Sequence, residues 1–371
     1  MRIAFIGLKG IPGNFTGVET YVEEIGARLA RAHEVWAYCR PHYVSRSANA
    51  EYMGIRRVWL PSIRTKHLDA SVHSLLASVH ASFGRFDIYH YQAIGPSMFS
   101  VLPRVRGGRI VVTVHGLDWA RAKWGRGASL ALLAAERVMV RTANAIIVVG
   151  RSLQRYYRER YGIETECIPN GVYPPRPQPA DLLEGFGLEP HAYLLFMARL
   201  TPEKGAHFLI EAFRKIDADV KLVVAGTYQA GERWYYDKLR ALAAGDDRIA
   251  FVGWVAGEVK DALLQHALAF VQPSTLEGLS IGLLEAAAAG VLCVASDIDE
   301  NREILQRGGE SLGLFFKSAD VASLVRTIEA LLNMPVEQRR AVAQRAREHV
   351  LSEFNWDKAA AQTEKVYESL L

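Results

Sequence analysis

The sequence predicts an α/β protein made of two doubly wound halves, each with a parallel sheet between layers of helices. Short apolar runs rich in β-branched residues recur along the chain, and amphipathic helical patterns separate them, which is typical of parallel sheets. The length of 371 residues exceeds what one hydrophobic core usually supports. A proline-rich stretch, GVYPPRPQPADLLEGFGLEP at 171–190, lies between two series of such runs and is predicted to be a linker.

The predicted elements follow in chain order. The strands of the first half are RIAFIG, HEVWAYC, FDIYHY, RIVVTVHG, AIIVVG and TECIPN, and those of the second are AYLLFMA, VKLVVAG, RIAFVG, LAFVQPS and VLCVAS. After the first strand and its glycine-rich turn, Val18, Val22, Ile25 and Leu29 fall on one stripe, as a helix requires. The final segment, FNWDKAAAQTEKVYESLL, predicts a docked terminal helix with Asn355 as its N-cap.

Composition bounds the class of protein. Half of the residues are apolar and 23% are charged, which suits a well-packed globular chain. No apolar run approaches the roughly 18 residues of a membrane span and no signal peptide is evident, so a cytoplasmic protein is expected. Cys39, Cys167 and Cys293 lie far apart, without metal-ligand spacing, and are predicted to be reduced core thiols.

Charge is distributed unevenly along the chain. Residues 1–172 hold 23 Lys and Arg against 12 Asp and Glu, a balance of +11, whereas the remainder holds 21 against 28, a balance of −7. The basic half is compatible with nucleic acid, an anionic membrane face or a phosphorylated substrate, or with a solvated surface that has no partner. No nucleic-acid-binding motif accompanies the charge, which disfavours the first option.

Ligands of open parallel sheets bind beyond the carboxyl ends of the strands, and two facing sheets are expected to form a cleft between domains. The loop IGLKGIPGNFTGVET follows the first strand, and its glycines allow a phosphate to approach a helix N-terminus. A dinucleotide-binding dehydrogenase fits less well. Gly7, Gly10 and Gly13 are spaced by three and three residues instead of two and three, and the second strand ends in AYCR without an acid.

Charged residues also follow strands of the second half. Arg199 and Lys204 come after its first strand and are suited to neutralise a diphosphate, although a solvated turn is the simpler alternative. Glu277 and Glu285 are eight residues apart, about 12 Å on a continuous helix, beyond the roughly 5 to 9.5 Å of a glycosidase pair. With free N–H groups from Gly278 onward, they suit the two ends of a nucleotide sugar; helix-dipole glutamates are the alternative.

In combination, these motifs resemble family 4 glycosyltransferases of the GT-B fold, and the resemblance extends along the whole chain. It rests on ARLTPEKG, on the pair Glu277 and Glu285, on IPNGV at 168–172, and on VTVHGLDWARAKWG at 112–125. Together with HYQAIGPS at 90–97, the last motif is similar to the rhamnosyltransferase-like subgroup. In place of the two adjacent glycines of many relatives, this chain has Thr16 before Gly17.

The resemblance implies two Rossmann-like domains facing a central cleft: an acceptor-binding domain at 1–172, a nucleotide-sugar-binding domain at 173–353, and a helix at 354–371 that packs back on the first domain. It also implies site residues. Those in contact with the donor are Arg199 and Lys204 on the diphosphate, Glu285 on the ribose, Glu277 on the sugar hydroxyls, the backbone of Gly278, Leu279, Ser280 and Ile281, Gly17 from the first domain, and His115 beside the sugar. Asp118 and His90 are assigned to the acceptor side.

The function implied is retaining transfer of a sugar from a nucleoside diphosphate sugar to an acceptor hydroxyl, in cell-surface polysaccharide or glycolipid synthesis. The nucleotide sugar is the substrate, and neither a cofactor nor a metal is expected. The basic first half predicts a saccharide or lipid-linked acceptor, and peripheral attachment at the inner face of the plasma membrane. An epimerase of the same fold and a nucleotide-sugar-binding protein without turnover remain as alternatives.

Overall fold

The structure is a computed structural model that describes residues 1–13, 17–46, 49–65, 68–121, 124–228 and 230–371. The chain divides into two compact units. The first contains Met1–Gly171 together with Trp356–Leu371, and the second contains Val172–Asn355. Each unit has one main sheet whose strand order reverses in the middle, as in doubly wound folds, so the predicted α/β class is confirmed.

The sheet of the first unit has eight strands. In chain order these are β1 (Arg2–Ile6), β2 (Glu34–Cys39), β3 (Glu51–Tyr52), β4 (Ile55–Trp59), β5 (Ile88–Gln92), β6 (Arg109–Val114), β7 (Ala145–Val148) and β8 (Glu166–Cys167). Their spatial order is β3-β4-β2-β1-β5-β6-β7-β8, and only β3 runs antiparallel to its neighbour. The helices are α1 (Gly17–Leu29), α2 (Leu68–Phe83), α3 (Ile94–Ser97), α4 (Val101–Arg104), α5 (Arg126–Thr142) and α6 (Arg151–Tyr161).

The sheet of the second unit has six parallel strands in the order β11-β10-β9-β12-β13-β16. Its strands are β9 (Tyr193–Met197), β10 (Lys221–Ala225), β11 (Ile249–Gly253), β12 (Ala269–Gln272), β13 (Cys293–Ser296) and β16 (Leu314–Phe316), and β14 (Gln306–Arg307) and β15 (Glu310–Ser311) form a separate ladder. The helices are α7 (Ala206–Phe213), α8 (Arg233–Ala243), α9 (Gly257–Gln265), α10 (Ile281–Ala288), α11 (Asp299–Leu305), α12 (Val321–Leu332) and α13 (Val336–Glu353).

The last helix, α14 (Trp356–Glu368), packs on α1 inside the first unit. Trp356 and Tyr367 are buried in the same core as the inner face of α1, and Arg28 donates to Asp357 at 2.6 Å. Gly171 permits this packing, because a Cβ atom there would lie 2.3 Å from the backbone nitrogen of Trp356. The glycine of the IPNGV motif is therefore needed for packing, because the backbones at Gly171 and Trp356 come too close to leave room for a side chain.

All three cysteines are free thiols. Cys39 and Cys293 lie in the cores of the two units, and burial raises the pKa of the Cys39 thiol to about 11. Cys167, at the end of β8, is only half-buried, so the prediction of a core thiol is wrong for this residue. In the part of the chain that the structure describes, no helix has both the length and the apolarity needed to cross a bilayer.

Candidate functional site

Each main sheet reverses its strand order at one point, and the carboxyl ends of the strands there are the expected place for a ligand. In the second unit the reversal lies between β9 and β12, and in the first between β1 and β5. The residues predicted from sequence cluster at these points. Arg199 and Lys204 follow β9, Glu277 follows β12, and Gly17 follows the loop after β1.

In the second unit, the loop after β9 packs closely against the loop after β12. A single turn of 3₁₀ helix, Pro202–Lys204, is followed by Gly205 with φ +73°, and a Cβ atom on Gly205 would lie 2.0 Å from the carbonyl oxygen of Pro273. Only glycine accepts both this backbone conformation and this approach. The Thr275 amide donates to the Glu203 carbonyl at 2.9 Å, which joins the two loops a second time.

This junction places Lys204 directly against Glu277. The Nζ atom of Lys204 lies 2.6 Å from Oε1 and 2.8 Å from Oε2 of Glu277, and the Glu277 side chain is 7% exposed. Gln272, the last residue of β12, donates through Nε2 to the same Oε1 at 2.7 Å. The orientation of the Glu277 carboxylate is thus fixed by two side chains of the protein, Lys204 and Gln272.

Helix α10 begins at Ile281, with Ser280 as its N-cap accepting from the Leu283 amide at 3.3 Å. Glu277 lies in the preceding loop and only Glu285 lies on the helix. The one-helix geometry considered for the two glutamates, with its 12 Å rise, is therefore wrong, because the N-cap breaks the helix between them. The first amides of α10, those of Ile281 and Gly282, have no acceptor within the helix and form the positive end of its dipole.

Glu285 has a cationic partner that the sequence did not indicate. Lys260 on α9 places its Nζ atom 2.7 Å from Oε1 of Glu285 and 3.8 Å from Asp261. Burial opposes the charged form of this lysine, but the charge and hydrogen bond of Glu285 outweigh it, so the pKa of Lys260 is raised. Arg199 is half-buried two residues after the end of β9.

In the first unit, two glutamates of α1 hold the glycine-rich loop after β1. The Lys9 amide donates to Glu19 at 2.9 Å, and the Gly13 amide donates to Glu23. These two amides are occupied by protein carboxylates, and Gly17, the first residue of α1, is exposed. Burial raises the pKa of Glu23 to about 7. Thr16, which stands where many relatives have a second glycine, lies outside the described residues.

His115 follows β6 and is anchored by Gln92, the last residue of β5. Its Nε2 atom lies 2.9 Å from the Oε1 atom of Gln92, and its ring packs edge-on against Tyr21 with centroids 5.0 Å apart. Because a carbonyl oxygen only accepts, Nε2 carries the proton and Nδ1 keeps its lone pair. Burial, and then the charge of Arg121, lower the pKa of His115 to about 3, so the imidazole is neutral at pH 7.

The two residues assigned to the acceptor side have different surroundings. Asp118 lies in a short 3₁₀ turn three residues after His115 and pairs with Arg121 at 3.3 Å. His90 is fully buried, with its ring nitrogens 2.6 Å from the Tyr367 hydroxyl and 2.7 Å from the Thr113 hydroxyl. Direct contact of His90 with an acceptor is incompatible with this burial, so the assignment of His90 to the acceptor side is wrong.

Sequence reasoning missed three residues of the site: Gln92, Gln272 and Lys260. The glutamines carried a signal, since each is a polar residue at the carboxyl end of an otherwise apolar strand and is fully or almost fully buried. Lys260 carried none. It is 25 residues from Glu285 in sequence, and only the packing of α9 beside α10 brings the two together.

Comparisons with known proteins show which family this chain resembles along its length. The model of the family described as Glycosyltransferase Family 4 matches residues 15–176, and the model described as Glycosyl transferases group 1 matches residues 185–349. The phosphatidyl-myo-inositol mannosyltransferase of Mycobacterium leprae is 30% identical over 297 residues, which cover 77% of this chain and 74% of that protein.

Solved structures extend the similarity to the whole fold. The sucrose-phosphate synthase of Thermosynechococcus elongatus superposes with a TM-score of 0.83 at 23% identity, over 100% of this chain and 98% of that one. The Anabaena protein Alr3699/HepE, solved in complex with UDP-glucose, superposes with a TM-score of 0.83 at 18% identity, over 100% of both chains.

Proposed function

Because the chain belongs to the family 4 glycosyltransferases of the GT-B fold, we propose that it transfers a sugar from a nucleoside diphosphate sugar to an acceptor hydroxyl with retention at the anomeric carbon. The observation that carries the proposal is the pair formed by Lys204 and Glu277 at the strand reversal of the second sheet, beside the start of α10. A cation, a carboxylate and the first amides of α10 lie together there, at the edge of the sheet formed by the carboxyl ends of its strands.

This arrangement suits a nucleotide sugar in a defined direction. Lys204 and Arg199 neutralise the diphosphate, with the first amides of α10 as further donors. Glu277 keeps lone pairs that accept from hydroxyls of the transferred sugar, and Glu285 accepts from the ribose. The similarity to a protein solved with UDP-glucose supports a nucleotide sugar as donor.

The chemical step requires stabilisation of charge at both ends of the breaking bond. The bond between the anomeric carbon and the β-phosphate oxygen breaks, the diphosphate leaves with the electron pair, and positive charge develops on the sugar. Lys204, Arg199 and the α10 amides stabilise the leaving group. The acceptor oxygen attacks from the face that the phosphate leaves, and its proton passes to a phosphate oxygen. In this mechanism the protein's own cations serve the diphosphate, without a metal ion.

His115 contributes to this step as a neutral group. With a pKa of about 3 it carries no charge at pH 7, so it does not oppose the positive charge that develops on the sugar. Its Nδ1 lone pair can accept a hydrogen bond from a sugar hydroxyl. The imidazole is therefore assigned to orienting the donor sugar and not to proton transfer.

The proposed acceptor is a saccharide carried on a phosphorylated lipid, in cell-surface polysaccharide or glycolipid synthesis. Support comes from the balance of +11 in residues 1–172 and from similarity to a protein named as a phosphatidyl-myo-inositol mannosyltransferase. The rhamnosyltransferase-like subgroup remains a prediction from the motifs around His115 and His90.

Titration calorimetry with UDP, GDP, UDP-glucose and GDP-mannose tests the donor half of the proposal. We expect binding of at least one nucleotide by the wild type, binding lost in Lys204→Ala, and binding kept in Lys238→Ala, which removes an exposed lysine of α8. Incubating the bound nucleotide sugar with a membrane lipid extract, followed by NMR of the product, tests retention. An isomerised donor formed without acceptor would instead indicate an epimerase.

A further inference from the structure

Helix α2 turns its apolar side chains outward. Leu68, Leu75, Val79 and Phe83 have exposed fractions of 46%, 38%, 40% and 70%. At 3.6 residues per turn, these four positions fall within about 80° of the helix circumference. They form a stripe about 22 Å long. A surface helix normally shows the opposite arrangement, with its apolar stripe facing the core.

The inner face of α2 explains why the apolar side chains are on the outside. It consists of small and polar residues, namely His73, Ser74, Ala77, Ser78, Ala81 and Ser82, all of them buried. The Ser78 hydroxyl bonds to the Ser74 carbonyl and to the Tyr91 hydroxyl, both at 2.7 Å, and the Ser82 hydroxyl donates to the Ser78 carbonyl at 2.6 Å. The helix is fixed by these close contacts, so its outward leucines, valine and phenylalanine contribute little to folding.

Apolar exposure continues onto α4, which packs beside α2. Val101 is 40% exposed and Val105, just after the end of α4, is 76% exposed. The guanidinium of Arg106 lies 4.9 Å from the ring centroid of Phe83, which joins the ends of the two elements. We call this surface the α2–α4 face, and define it as Leu68, Leu75, Val79, Phe83, Val101 and Val105.

Among the described residues next to the α2–α4 face in sequence, most of the exposed charges are arginines. Arg64, Arg85, Arg104 and Arg106 are exposed beside it or at its ends. Between Asp69 and Asp118 the sequence has a single acidic residue, Asp87, whose carboxylate accepts from the Arg2 amide at 2.7 Å. Asp69 itself accepts from Arg40 at 2.7 Å and from Ser62 at 2.6 Å. An apolar strip bordered by arginines results.

We propose that the α2–α4 face docks on an anionic lipid bilayer, with its apolar side chains at the level of the acyl boundary and its arginines on lipid phosphates. This arrangement is the one expected of a helix that lies in the membrane interface. The proposal deepens the proposed function and rests on it, because a lipid-linked acceptor requires the enzyme to work at a membrane.

A second copy of the chain fits this face poorly. A twofold symmetric interface places the same patch against itself, which would bring the arginines of both copies together. A bilayer containing phosphatidylglycerol supplies instead a continuous negative surface and an apolar layer beneath it. Electrostatic attraction of this kind also weakens as salt increases.

Flotation with vesicles tests the docking. With vesicles of phosphatidylglycerol and phosphatidylcholine, we expect the wild type to bind, and to bind more weakly to phosphatidylcholine alone and at high salt. Arg104→Gln with Arg106→Gln is expected to weaken partitioning about 30-fold, from about five- to sixfold per charge at an anionic surface. Val79→Ser with Phe83→Ser is expected to weaken it at least about tenfold. Trp234→Ser, which removes a side chain 60% exposed on α8 of the second unit, is the matched control and should bind as the wild type does.

Two further readouts keep this test separate from the proposed function. Calorimetry with the nucleotide that the wild type binds is expected to give unchanged affinity in all these variants, since none alters the carboxyl edge of the second sheet. Size-exclusion chromatography with light scattering is expected to give the same mass for the wild type and the serine variant. Unchanged vesicle binding in both double variants, or a dimer that the serine variant dissolves, would overturn the membrane assignment even if nucleotide binding is intact.

Discussion

The ammonium of Lys204 lies 2.6 Å from one carboxylate oxygen of Glu277 and 2.8 Å from the other, and their side chains are 18% and 7% exposed. One residue follows β9 and the other follows β12, the strands at which the sheet order reverses. The pair is thus both a structural ion pair and the centre of the proposed donor site, and these two roles can be separated by substitution.

Replacement of Lys204 by Met is expected to lower kcat/KM by about 100- to 1,000-fold, as is typical when one donor to a developing negative charge is lost. The same change leaves the buried Glu277 carboxylate without its cation and should also lower Tm. The double variant Lys204→Met, Glu277→Gln removes both charges. We expect it to recover Tm while remaining inactive. Recovery of activity together with Tm would show that the lysine serves the fold alone.

Gln92 is expected to act through His115. Gln92→Ala removes the acceptor of the Nε2 proton and should reduce kcat by about 10- to 100-fold with little change in donor KM. Gln92→Glu places a carboxylate beside the ring and should raise the His115 pKa from about 3, so that kcat declines at acidic pH where the wild type is still active. The measurement is kcat between pH 5 and 9. Gln154→Ala, which loses a hydrogen bond to the Thr165 carbonyl, is the control; superimposable profiles for Gln92→Glu and the wild type would contradict the assignment.

Lys260 is expected to position Glu285 for the ribose. Without the ammonium 2.7 Å away, the carboxylate loses its fixed orientation, and Lys260→Met should raise the donor KM about tenfold at nearly unchanged kcat. Asp261→Asn is the matched control, because Asp261 lies 3.8 Å from the lysine and has no role in the proposed site. A loss of kcat at constant KM in Lys260→Met would place the lysine in the chemical step instead.

Burial of His90 predicts a loss of stability in acid. Burial, and then the repulsion that a protonated His90 would meet from a protonated His115, lower the pKa of His90 from its ordinary 6.5 to about 3. Above pH 6.5 the residue is neutral in both states and contributes no pH dependence. As pH falls below 6.5, only the unfolded chain binds the proton, so the free energy of unfolding falls by about 1.4 kcal/mol per pH unit from this residue until about pH 3.

Denaturant unfolding between pH 7 and 5 checks this prediction. His90→Gln loses hydrogen bonds to Tyr367 and Thr113 and should be less stable than the wild type at pH 7 by about 1 to 3 kcal/mol. Its stability should nevertheless fall less steeply with acid. Parallel curves for the two proteins would mean that His90 does not contribute to the slope.

The sequence by itself indicated the two-sheet α/β architecture and most of the main strands, but β3, β4 and β16 were not among the predicted strands. Amphipathic helices can be recognised from local spacing, as in the stripe of Val22, Ile25 and Leu29. Strands of a parallel sheet that is covered on both faces can be recognised because they consist almost entirely of apolar residues. It also indicated that Arg199, Lys204 and Glu277 follow strands, because the carboxyl ends of parallel strands meet at one edge.

Tertiary structure alone decided which of these residues touch. The contacts of Lys204 with Glu277 and of Lys260 with Glu285 join loops and helices that are 73 and 25 residues apart, and they depend on the spatial order of the strands, which no local pattern encodes. The outward apolar face of α2 is also a tertiary result. Periodicity shows that a helix has two faces, but the close approach allowed by Ser74, Ser78 and Ser82 decides which of them is buried.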